Sequence, residues 1–234
     1  MEMIGVEVTA RGASVRGPRG PVFDNVDLRV PAGGLLVVHG PGGSGRTSLL
    51  LTLAGRMRPA TGAVRVGRYL LPSDGRRVRE AVAVARAEPA VGLEGRLRVD
   101  ELIAERRLLA GAVTAARLAE AFEITGIDPP GRTLAEDLDP ATALLFAVSL
   151  SLAEHPAAIV ADDVGLGCPD RELTSVWTAL ERVRATGCTL LTSATEPPPP
   201  SPSPPPPPPP SQSPGPVLVA LPQLSSDRLP EVGA

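Results

Sequence analysis

The sequence contains no lysine; all 23 of its basic residues are arginine. Aromatic residues make up only 2% of it. Both shortages fit a GC-rich coding bias, which exchanges Lys for Arg without a functional cause. Cysteine is limited to Cys168 and Cys188, and the two form no close pair. That excludes a disulfide scaffold and a zinc ribbon and suits a reducing cytoplasm. Histidine is limited to His39 and His155, and glutamine to Gln212 and Gln223. No basic start followed by a long apolar run opens the chain, which predicts no signal peptide. The longest apolar stretch, Ala141 to Ala153, is interrupted by Thr142, Ser149 and Ser151 and is too short to span a bilayer. An excess of positive charge is missing as well. The net charge of −3 argues against a dedicated nucleic-acid binder.

What is present suffices for a sizeable core. The chain has 234 residues, 43% of them hydrophobic, which predicts one domain, or one domain with a small helical lobe. Ile4 to Val8 alternates and predicts an edge strand, while Arg11 to Pro21, rich in Gly, Arg and Pro, predicts a loop. Val22 to Val30 alternates again. Leu35 to Val38 is fully apolar, as a buried central strand requires. Arg46 to Arg56 predicts a buried helix, and Pro59 to Gly67 a turn and a strand. From about residue 88 to 153 the pattern is helical. Val99 to Ala112 and Thr114 to Ile124 read as amphipathic helices, with Leu102, Leu108, Leu109, Leu118 and Phe122 on their core faces. Asp139-Pro140 is a capped helix start. Ala157 to Ala161 and Cys188 to Thr192 are two further buried strands, with a helix from Glu172 to Ala185 between them.

Residues 197–216 hold 14 prolines. Such a segment favours polyproline II and cannot join a packed core. A free tail is one reading of it. The strand signal of Val217 to Leu221 favours the other: an insertion ahead of a last strand, with residues 217–234 forming that strand and a C-terminal tail.

Gly40-Pro41-Gly42-Gly43-Ser44-Gly45-Arg46-Thr47 follows the apolar strand and opens the helix. It fits the phosphate-binding pattern GxxxxGK[ST] except for Arg in place of Lys. Glycines let consecutive backbone N–H groups turn toward phosphate oxygens, and the helix N-terminus adds its positive dipole end. The basic residue reaches the outer phosphates, and the threonine hydroxyl binds Mg²⁺.

With its surroundings, this loop resembles that of the nucleotide-binding domain of ATP-binding cassette (ABC) proteins. Val22-Phe-Asp-Asn-Val-Asp-Leu with Pro31-Ala-Gly-Gly is similar to the strand and turn before the family's loop. Leu53-Ala-Gly-Arg-Met-Arg-Pro-Ala-Thr-Gly-Ala-Val-Arg-Val66 is similar to the stretch after it. Ala157-Ala-Ile-Val-Ala-Asp162-Asp163 stands where the family has four apolar residues and Asp-Glu. Gly187 to Ser193 resembles the strand leading to the family's switch histidine. The resemblance covers most of residues 1–196. It implies an α/β P-loop NTPase fold of ABC type: a mixed central sheet with flanking helices, an antiparallel β lobe, and a helical lobe at about 88–153. It also implies ATP and Mg²⁺ as ligands, with Gly40, Pro41, Gly42, Gly43, Ser44, Gly45, Arg46, Thr47 and Ser48 holding the nucleotide. Thr47 and Asp162 would hold the metal, and Asp163 would stand as the catalytic carboxylate.

The resemblance breaks where the family hydrolyses ATP. No glutamine stands between the lobes; Ala87 or Glu88 takes that place. Ala194 takes the place of the switch histidine. Leu138 to Thr142 takes the place of the LSGGQ segment, yet no glycine occurs from Arg132 to Val164. Asp139 would turn a negative charge toward a phosphate. Asp163 is one methylene shorter than the family's glutamate. Phe23 is expected in the core rather than stacked on adenine.

These features imply the ATP-binding subunit of a membrane transporter, cytoplasmic and peripheral at the inner face of the membrane, with weak or partner-dependent hydrolysis. Its expected partners are a transmembrane subunit and a second cassette, a heterodimer more active than a homodimer, and no nucleic acid. The helical lobe would dock the membrane partner, through charged clusters at 96–101 and 105–107 beside Val91, Leu93 and Leu97. A non-catalytic regulatory or assembly module of the same fold is the alternative, and a soluble ATPase acting on nucleic acid or ribosomes a weaker one.

Overall fold

A computed structural model describes residues 1–198 and 215–224. Most of the proline tract and the tail from 225 to 234 lie outside the described residues.

Two sheets organise the chain. The first strands are β1 (Val8–Gly17), β2 (Gly20–Val30), β4 (Thr61–Val66) and β5 (Tyr69–Leu71), paired antiparallel in the order β2-β1-β4-β5. The second sheet contains β3 (Leu35–His39), β6 (Val82–Arg86), β7 (Ala158–Ala161), β8 (Thr189–Ala194) and β9 (Val217–Ala220), in the order β6-β7-β8-β3-β9. All four pairings here are parallel. Among the described residues the antiparallel strand pairs are gathered in the separate four-stranded lobe. Six helices accompany the sheets in the described residues: α1 (Arg46–Leu53), α2 (Gly75–Ala81), α3 (Val99–Leu109), α4 (Ala115–Thr125), α5 (Pro140–Leu152) and α6 (Asp170–Ala185).

The apolar strands are buried on both faces, and strand alternation divides their side chains between two cores. Leu35, Val37, Ile159, Ala161 and Leu190 pack with α4, α5 and α6. Leu36, Val38, Ala158, Val160 and Leu191 pack with α1 and the antiparallel lobe. α5 is buried all round from Leu144 to Leu152, so its sequence lacks a polar face. Its start is fixed by Asp139, whose carboxylate accepts the Thr142 N–H at 2.8 Å, and by Pro140 in the first turn.

Several expectations need correction. The segment from Arg11 to Pro21 is not a loop: it forms most of β1 and the tight turn into β2, while Ile4 to Glu7 lies outside any strand. Register shifts on either side of Ala13 let the strand absorb Gly12, which has φ of 57°. Leu108 and Leu109 do not face a core. They are 85% and 78% exposed at the end of α3, whereas Leu102 is buried. Helical periodicity marked an apolar stripe, but only the first half of α3 meets the core. Val91, Leu93 and Leu97 pack inward against the two cores, so they add little to a free docking patch. β5, α2 and β6 had no counterpart in the sequence reading.

Candidate functional site

The C-terminal edge of the parallel sheet carries the site. β3 ends at His39, residues 40–45 turn back, and α1 starts at Arg46. Gly45 caps the helix with φ of 91°, and a Cβ there would overlap the Val22 carbonyl, so only glycine fits. A Cβ on Gly40 would likewise overlap the Leu221 carbonyl, because the chain leaving β9 passes directly beside the loop. Pro41, Gly42 and Gly43 are exposed at the crest. Ser44 is buried, and its hydroxyl has no hydrogen-bond partner among the described residues. Ser48 lies in the first turn of α1, its carbonyl accepting the Thr52 hydroxyl at 2.7 Å.

Residues far apart in sequence meet behind this loop. Asp162, at the end of β7, is 2% exposed. Its carboxylate accepts hydrogen bonds from the Thr47 and Ser193 hydroxyls. Asp163 follows with φ of 49°, a left-handed conformation rare outside glycine. Three groups hold it there. Its N–H donates to Ser193 Oγ at 2.9 Å. Arg86, at the end of β6, donates to the carbonyls of Asp162, at 3.0 Å, and of Asp163. Arg46 places Nη2 at 2.6 Å from Asp163 Oδ1, while its Nη1 donates to the Gly40 and Pro41 carbonyls. Arg46 Nε has no partner among the described residues.

The structure thus brings Gly40 to Ser48, Asp162 and Asp163 together. It adds two residues that the sequence reading missed, Arg86 and Ser193. A charged residue closing the apolar run Val82 to Ala85 was the available signal for Arg86, and a hydroxyl closing the Thr189 to Thr192 strand the signal for Ser193. Ala194 is buried opposite His39. Ala87 is buried and bonded to Val91, while Glu88 is exposed. Phe23 is 1% exposed within the core. Asp139 is bound to its own helix start; burial alone would raise its carboxyl pKa, but hydrogen bonds from Thr142, its own N–H and Ala141 bring it below the ordinary value. His155 is held below the ordinary imidazole value, first by burial and then by Arg117.

Chemically, this is an anion cradle beside a carboxylate. The loop offers backbone N–H groups, an unpartnered buried hydroxyl and a guanidinium. Thr47 and Asp162 supply the hard oxygen donors that suit Mg²⁺, which usually takes few protein ligands and completes its shell with phosphate and water.

The sequence model of one family, described as ABC transporter, matches residues 23–162. The chain belongs to the ABC transporter family. A daunorubicin resistance ATP-binding protein, DrrA3, of Streptomyces coeruleorubidus is 26% identical to this cassette over 191 residues, which are 81% of the chain and 60% of DrrA3. A cytochrome c biogenesis ATP-binding export protein, CcmA, of Cupriavidus pinatubonensis is 39% identical over 87 residues, 37% of each chain. The cassette thus spans between 37% and 60% of the length of these curated relatives. Among solved structures, cbiO1 from Clostridium perfringens, part of the ABC transporter complex cbiONQ, shares the fold with a TM-score of 0.66 at 15% identity, over 81% of this chain and 78% of that one.

Proposed function

We propose that this cassette is the ATP-binding subunit of an ABC-type membrane transporter, with a variant phosphate loop and weak or partner-dependent hydrolysis. The observation that carries the reading is the pair of orphaned buried groups in the loop, the Ser44 hydroxyl and Arg46 Nε. Buried polar atoms are rarely left unpaired, and an anion seated in the cradle would satisfy both. Gly40 to Ser48 would hold the phosphates, and Thr47 and Asp162 a Mg²⁺ ion. Mg²⁺, when bound, neutralises phosphate charge. Asp163 would be the base, but its Oδ1 is engaged by Arg46. The cassette would bind a transmembrane subunit as a peripheral protein on the cytoplasmic face. A second cassette with a complete signature segment would make a more active dimer than a second copy of this chain.

Calorimetric titration with Mg-ATP tests the binding. Saturable binding that is lost on replacing Gly45 by Asp is the expected outcome; no heat at millimolar nucleotide would overturn it. The Arg46–Asp163 pair favours a second reading, a regulatory module that binds nucleotide and never turns it over. Hydrolysis measured with an active partner cassette separates the two.

A further inference from the structure

Arg46 is the basic residue of the phosphate loop, yet its fork is turned to protein groups. Nη1 donates to the Gly40 and Pro41 carbonyls, the second at 2.8 Å, and Nη2 donates to Asp163 Oδ1 at 2.6 Å. Three of the five guanidinium N–H groups are thus engaged. Nε is the one nitrogen of the group without a partner among the described residues, and it is buried. The fork therefore bridges the start of the loop to the carboxylate after β7, beside the hydrogen bond between Thr47 and Asp162.

The groups around this bridge are held as well. Arg86 donates from Nε and Nη2 to the Asp162 carbonyl, at 3.2 and 3.0 Å, and from Nη2 to the Asp163 carbonyl. The chain has no lysine to serve in place of either guanidinium. Asp163 is fixed by its left-handed backbone and by its N–H bond to Ser193 Oγ at 2.9 Å. The donors left open toward a ligand are the backbone N–H groups at the start of α1, the buried Ser44 hydroxyl and Arg46 Nε. They suffice for a pyrophosphate group while the fork stays on Asp163. A third phosphate brings further negative charge toward the carboxylates of Asp162 and Asp163. It meets the fork only if the fork leaves Asp163, and that exchange uncovers the Asp163 charge beside the incoming phosphate.

We infer that Arg46 makes this loop selective for a nucleoside diphosphate over the triphosphate. The inference rests on the proposed reading of the loop as a nucleotide site and names which nucleotide that site prefers. Arg46 is then a specificity-determining residue. Its Nε faces the phosphates, and its fork keeps the place beside Asp163 closed to a third one. The diphosphate form is the resting form of the cassette, and a triphosphate enters only against the Arg46–Asp163 pair.

Calorimetric titration of the whole chain with Mg-ADP, and with the Mg complex of a non-hydrolysable ATP analogue, reads the two affinities directly. The diphosphate is expected to bind about fivefold more tightly. Arg46→Lys, which keeps the charge and removes the fork, should bring the two affinities within about twofold of each other. Asp163→Asn, which removes the charge that anchors the fork, should narrow the ratio in the same direction. Melting curves show whether each variant folds, and the ratio for the unaltered chain needs neither of them. Equal affinities for the unaltered chain, or a tighter triphosphate, overturn the inference and leave nucleotide binding standing. A preference for the diphosphate that both folded variants retain overturns it as well, because the selectivity then lies elsewhere. Binding of neither nucleotide removes the nucleotide-site reading itself, and the inference with it.

Discussion

Asp163 stands under three constraints at once. Its backbone is left-handed, its carbonyl is held by Arg86, and its carboxylate is held by Arg46. The ion pair is only partly exposed, with side-chain accessibilities of 11% for Arg46 and 31% for Asp163. Any anion that draws the Arg46 guanidinium to itself must first loosen this pair. Lysine at that position keeps the charge but loses the fork. Replacing Arg46 by Lys should therefore free Asp163 and raise nucleotide affinity about two- to fivefold, the equivalent of about 0.5–1 kcal/mol. Calorimetry on the two proteins checks this; equal or weaker binding by the Lys variant would show that the pair does not oppose the ligand. The cysteines give a second residue-level expectation. Burial pushes the Cys188 thiol up to about 12, and the residue is fully enclosed. Thiolate is the reactive form, so Cys188 should resist alkylation near pH 8 until the chain unfolds, while Cys168, partly exposed, reacts first. Peptide mapping after timed labelling reads both. Much of the candidate site's geometry was legible in sequence because the glycine loop is contiguous and Asp162-Asp163 follows an apolar run. Arg86 and Ser193 were not, because their roles exist only once three strands align their ends.

The elements follow the same division. Buried strands declare themselves: Leu35 to Val38, Ala158 to Ala161 and Leu190 to Leu191 are apolar without interruption. The β5–α2–β6 segment does not, because a three-residue strand and a seven-residue helix are too short for a period to emerge. The antiparallel lobe was half hidden, since Gly12 and Pro18 look like loop residues while long-range pairing to β4 and β2 overrides local preference. β9 makes the most testable element. It adds four residues to the open side of β3, pairing Leu36 with Val217 through His39 with Ala220. Leu221 is buried just beyond it, and its N–H donates to the His39 carbonyl at 2.8 Å. Deleting Val217 to Leu221 should thus lower the melting temperature and also weaken nucleotide binding, because it removes the wall behind Gly40. Replacing residues 197–216 with a short Gly-Ser loop should change neither, since doubling a loop's length costs only about 0.6 kcal/mol. Scanning calorimetry and nucleotide titration of the two variants decide the matter. Equal tolerance of both deletions would mean that β9 contributes nothing to the sheet or the loop.

At the scale of the whole molecule, the proposed function separates binding from turnover. Binding needs a loop, a helix start and oxygen donors for a metal, and Gly40 to Ser48 with Asp162 would offer them together at one end of the parallel sheet. Turnover needs a base that is free, a group to orient water, and a complementary surface closing over the outer phosphate. Here Asp163, the carboxylate proposed as base, is paired to an arginine. The end of β8 presents the methyl group of Ala194, buried and without a proton to exchange. The start of α5 presents a carboxylate bound to its own helix in place of free backbone N–H groups. Each loss alone would slow the chemistry, and a misplacement near 1 Å can already cost about 100-fold. A homodimer would repeat all of them in both sites. The purified chain should therefore bind Mg-ATP with almost no steady-state phosphate release at any protein concentration. Mixing it with a cassette that carries a complete glycine-rich signature segment should produce turnover at one composite site at most. Vigorous hydrolysis by the chain alone, abolished by Asp163→Asn, would mean that Arg46 leaves the carboxylate when nucleotide enters and that the short side chain reaches its water after all.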